Sequence, residues 1–61
     1  MKQYLVAWTE PLDPVEHIRV LFTDSFNEWK KRMENRGCFQ SIIVPLTKAE
    51  AMKQNYQHMI F

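Results

Sequence analysis

Between Val20 and Phe26 the periodicity of the chain changes, and this change restricts the fold more than any other feature. Ahead of it, "HIRVLFT" (17–23) sets Ile18, Val20 and Phe22 in alternation with His17, Arg19, Leu21 and Thr23. The segment is crowded with β-branched and aromatic side chains, as a strand requires. Behind it, Phe26, Trp29 and Met33 recur at the spacing of one helix face. The residues between, Thr23-Asp24-Ser25, favour caps over helix interiors, because their short polar side chains compete for backbone hydrogen bonds. Ser25-Phe26-Asn27-Glu28 reads as a capping box. A strand over Ile18–Thr23 and a helix over Phe26–Arg36 follow. Gly37, the only glycine, stands where a left-handed residue ends a helix. The competing reading is one helix from Pro14 to Asn35. Asp13-Pro14-Val15-Glu16 has the form of a helix start, and apolar residues at 15, 18, 22, 26, 29 and 33 keep helical spacing. The β-branched crowding of 18–23 and the caps that follow weigh against it.

The remaining elements follow the same logic. "QYLVAWT" (3–9) places Tyr4, Val6 and Trp8 on one face and Leu5 and Ala7 on the other, both apolar, as in a central strand. "EPLDPVE" (10–16) carries two prolines and reads as a loop. "CFQSIIVPL" (38–46) predicts a third strand, with Ile42, Val44 and Leu46 against Phe39 and Ile43. Pro45 removes a ladder donor and puts this strand at an edge. Thr47-Lys48-Ala49-Glu50 is a further capping box, opening a last helix with Ala49, Met52, Tyr56, Met59 and Ile60 in one stripe. The expected fold is a single α+β domain over residues 1–61 in the order ββαβα. A right-handed crossover makes the second and third strands parallel. The apolar first strand then lies in the middle of a three-stranded mixed sheet of order 2-1-3, packed with two helices in a half-ferredoxin-like layout.

A chain of 61 residues has one small core, and domains of this size usually need a disulfide, a metal or association to be stable. One cysteine, Cys38, excludes an internal disulfide, and a single Cys with two widely spaced His gives no structural zinc pattern. Association is the option left, or unusually good packing. The hydrophobic fraction of 46% argues for a real core and against disorder. A net charge of +1 provides no long-range field toward nucleic acid or an anionic membrane. The N-terminal apolar run is too short for a secretory signal or a membrane span. With a free thiol, this leads to an expected cytoplasmic location and a complete small reading frame.

Little in the chain suggests catalysis. Cys38 follows the expected helix C-terminus, where the helix dipole disfavours a thiolate. His17 and His58 read as surface residues, no glycine-rich loop cradles a phosphate, and the carboxylates read as caps and ion pairs. No catalytic residue, metal site or cofactor is expected, and the chain is expected not to be an enzyme. Excess apolar surface is more informative: both faces of the first and third strands are apolar, and one layer of helix cannot cover both. Either the helices take opposite faces or a partner covers the remainder, and exposed patches of this kind mark interfaces. Leu5, Ala7, Arg19, Leu21, Phe39, Ile43 and Phe61 are the expected contacts with a protein partner. A homodimer is expected along the unprotected edge of the second strand, or through Leu21 and the apolar sheet face. Small chains without catalytic equipment commonly serve as accessory regulators or inhibitors, often encoded by phage or mobile elements, and this is the expected function. The alternative is a nucleic-acid-binding regulator whose phosphate contacts come from Lys30, Lys31, Arg32 and Arg36. No membrane partner is expected.

Overall fold

A computed structural model describes residues 1–61. The chain forms β1 (Lys2–Thr9), β2 (Glu16–Thr23), α1 (Phe26–Asn35), β3 (Phe39–Leu46), α2 (Lys48–Lys53) and β4 (Gln57–Ile60). β1 pairs antiparallel with both β2 and β3, which gives the expected 2-1-3 arrangement. The break at Thr23–Ser25 falls where the change of period puts it. The competing single helix from Pro14 to Asn35 does not form: Glu16–Thr23 is a strand, as the preferred reading expects.

The sheet nevertheless has four strands, in the order β3-β1-β2-β4. This corrects the three-stranded expectation and the long last helix. α2 stops at Lys53, Gln54 is already extended, and Gln57–Ile60 pairs in parallel with β2. Met52, Tyr56, Met59 and Ile60 satisfy helical spacing, but Gln57, Met59 and Phe61 also alternate with His58 and Ile60. The open β2 edge decides between the two patterns, because its unpaired backbone groups gain partners when this segment is extended. Leu21 lies beside Met59 and Phe22 beside Ile60, and the Phe61 amide donates to the Phe22 carbonyl at 3.0 Å.

The two helices lie on opposite faces. The β2–α1–β3 connection crosses the sheet in one direction and β3–α2–β4 crosses back. Two crossovers of the same hand running in opposite directions must use opposite faces. α1 buries Trp29 and Met33 against Val6, Trp8 and Leu21, with Tyr4, Phe26 and Met59 at the margin. The aromatic packing is close: Tyr4 and Phe26 stack at 4.2 Å between centroids, and Trp29 meets Trp8 edge-on at 6.0 Å. The other face carries Leu5, Ala7 and Val20, which the register sets together, and α2 seals it with buried Ala51. Met52, expected in the apolar stripe of this helix, is exposed instead, as is Ala49.

Helix termini follow local chemistry with one exception. Gly37 adopts φ +80°, its amide donates to Glu34 at 2.9 Å, and the Cys38 amide donates to Met33 at 3.0 Å. This pair of bonds is the Schellman closure, and Met33 and Cys38 supply its apolar contact. Thr47 and Glu50 form the expected reciprocal capping box. Ser25 and Glu28 do not: the Ser25 amide donates to the buried Thr23 hydroxyl at 2.9 Å, and the Ser25 side chain caps nothing. No helix is long and apolar enough to cross a membrane.

Candidate functional site

The expected contact residues do not form one surface. In an antiparallel ladder directly opposed residues share a face. Leu21 lies opposite Tyr4, and Arg19 and Ile43 flank Val6, so these three belong to the α1 face. Leu5 and Ala7 belong to the α2 face. Leu21 and Ala7 are 0% exposed and so take no part in an outer contact, and the β2 edge is covered by β4. The proposed dimer contact through Leu21 and that edge is therefore corrected. Arg19 lies with its guanidinium 5.9 Å from the centre of the Trp8 ring and donates to its neighbour's carbonyl. Phe61 docks beside β2 with Arg32 over its ring at 5.1 Å. Phe39, 69% exposed, and the partly exposed Ile43 remain available. Both lie on β3.

β3 is a free edge of the sheet, with β1 as its only neighbour. Its eight residues, "FQSIIVPL", include no charged side chain. Edge strands normally carry lysine, a bulge or a proline to refuse a further strand. Here Pro45 guards one end, and the register shift opposite Ala7 and Trp8 lets Ser41 bulge and donate to Glu16 at 2.6 Å. The opposite edge, β4, is only four residues long. Alongside β3, an open groove of about 330 Å³ runs to α1, lined by Lys30, Glu34, Cys38, Phe39, Gln40 and Ile43. Gln40 donates through Nε2 to the Lys30 carbonyl at 3.3 Å, while its Oε1 is buried without a donor.

The basic run is partly occupied within the molecule. Arg36 donates from Nη2 to both oxygens of Glu10, at 2.8 and 3.0 Å. Arg32 pairs with Glu28 at 3.5 Å. Lys30 and Lys31 are exposed and take part in no ion pair. Of the four residues expected to meet phosphate, two therefore keep their charge unpaired.

Glu10 was not legible as a special residue, yet it gathers more partners than any other side chain. Besides Arg36 it accepts from the Trp8 indole at 3.3 Å and from the Cys38 thiol at 3.3 Å. The Cys38 thiol, then Trp8 and Arg36, hold its carboxyl below the ordinary range. Burial, then the Glu10 carboxylate, pushes the Cys38 thiol up. A thiol that is neutral and acts as a donor is a poor nucleophile. His17 stacks on Trp8 at 5.5 Å and lies 3.9 Å from Asp13, while His58 sits against Phe22 on the other face. No family model matches this chain, and no curated protein or solved structure matches it.

Proposed function

We propose that this chain is a non-enzymatic protein-binding domain, an accessory regulator or inhibitor acting by contact, and that its free β3 edge takes a strand from a second copy. The observation that carries this reading is the edge itself, eight residues long, uncharged and paired on one side only. An edge that meets its own copy about a two-fold axis is self-complementary by construction, because each backbone donor finds an equivalent acceptor. Antiparallel pairing of β3 with β3 joins two four-stranded sheets into one. Stability gives a second reason: only 10 of 61 residues are buried, and association adds the burial that a chain this short lacks.

Sedimentation equilibrium across a wide concentration range tests the proposal, together with melting temperature on dilution. A dimer whose melting temperature falls as it is diluted is the expected result, since association selects the folded state. Phe39→Lys with Val44→Lys introduces the charge that natural edges use, at two exposed positions, and converts the dimer to a folded monomer. A parent chain that stays monomeric at high micromolar concentration, with a melting temperature independent of dilution, overturns this reading.

A further inference from the structure

A different part of the molecule carries a second contact, independent of the β3 edge. The loop from Glu10 to Val15 turns sharply, with the Asp13 amide donating to the Glu10 carbonyl at 3.2 Å. Pro11 occupies the second position of this turn and Leu12 the third, where φ is +65°. A negative φ at the proline followed by a positive one makes the turn type II, whose third position calls for glycine or asparagine. Leucine is held there against its backbone preference, and its side chain is fully exposed, touching none of the core it could have joined. A residue that strains the backbone and buries nothing does not serve this fold. Such outliers persist only where the surrounding structure fixes them, and they cluster at binding and switch regions.

The loop is also held rigidly. At its base Glu10 is fixed by Trp8, Arg36 and Cys38. Pro11 packs on the end of α1, so closely that a Cβ at Gly37 would stand 3.1 Å from its Cγ. On the far side the Val15 amide donates to Asp13 at 3.0 Å, which closes an Asx turn. Two prolines and this latch remove most of the ordering entropy that a binding loop would otherwise lose on contact. Asp13 follows the leucine and Glu16 stands four residues on; Asp13 accepts from Val15 and lies 3.9 Å from His17, Glu16 accepts from Ser41 at 2.6 Å, and neither has a Lys or Arg partner within the molecule.

From these features we infer that Leu12 is a preorganised anchor that enters an apolar, leucine-sized pocket with a basic rim on another folded protein. The apolar tip fills the pocket, Val15 extends the contact, and Asp13 and Glu16 meet the rim. The contact adds a partner surface to the β3 edge and does not depend on it.

The test uses the full chain with photo-leucine at position 12, irradiated in a lysate of cells that make the protein. The cross-linked protein is then purified and titrated with unlabelled variants. Leu12→Gly and Leu12→Asn both suit a positive φ and remove the anchor. The expected result is affinity weakened by at least about tenfold in both, with melting temperatures equal to or above the parent. Phe39→Lys with Val44→Lys leaves that affinity unchanged, which separates this contact from the edge. The inference is overturned if position 12 cross-links to nothing, or only to a second copy of the chain. It is equally overturned if both variants bind as tightly as the parent, or if both melt below it.

Discussion

Two residues of this molecule adopt a positive φ, and they stand close together: Gly37 at +80° and Leu12 at +65°. Gly37 closes α1, and its missing side chain leaves room for Pro11. Backbone conformation, hydrogen bonding and packing all ask for glycine there, and glycine is present. Leu12 has the same backbone demand one loop away and answers it with a branched apolar side chain in open solvent. Gly37 is explained by the fold alone. For Leu12 the fold argues against the residue that is there, which makes this position the clearest mark of something other than folding.

Substitution at these two sites should have opposite signs. Gly37→Ala forces a side chain into the left-handed region at a cost of about 1–2 kcal/mol, and its Cβ presses on Pro11 at 3.1 Å. We expect the largest fall in melting temperature here, measured by thermal denaturation. Glu10→Gln removes the charge that ties the loop to α1, with a smaller loss because the side chain is partly exposed and screened. Its signature is pH dependence. The Glu10 pKa is lowered on folding, so its contribution is full above the ordinary value of 4.5 and is lost as pH falls through the lower folded value. Acid titration of stability should be shallower in the variant. A profile identical to the parent's would mean that Glu10 holds nothing. At Leu12→Gly, relief of about 1–2 kcal/mol of backbone strain is set against about 0.5–1 kcal/mol of added chain entropy, leaving a small net gain. A loss of stability at Leu12 would break the contrast with Gly37. The least effect belongs to Lys30→Glu with Lys31→Glu, exposed and unpaired, where tenths of a kcal/mol are expected. Nucleic-acid binding at physiological salt that disappears in that double variant would move weight to the basic face.

Much of the fold could be read from the chain because its signals are local. The change of period at Thr23–Ser25, the glycine closure and the Thr47 box each depend on a few neighbouring residues, and the crossover rule then ordered three strands. β4 could not be read in this way. Its apolar residues satisfy two periods, and the open β2 edge that decides between them lies far back in the sequence. The candidate surfaces were less legible still. Alternation along one strand names two faces but not which face of the next strand joins them; that requires register, and so Leu21 was grouped with Leu5 when it lies opposite Tyr4. The Glu10 latch had no sequence signal, since its partners Arg36 and Cys38 come from the far side of α1.

The parallel pairing of β4 with β2 also bears on folding and opening. The β1–β2 hairpin closes a short loop, whereas β4 must return across a helix, a strand and a second helix before it gains its first bond, so it docks late. With four residues, it is also the shortest strand of the sheet. We expect β4 to open before the rest of the sheet, so that amide protons bonded between β2 and β4 exchange with solvent sooner than those between β1 and β2; hydrogen exchange of equal protection in both ladders would count against this. Each such opening exposes the unprotected side of β2 for a moment. An end-exchanged dimer at high concentration is the expected consequence, detectable as a species that a β4 truncation abolishes.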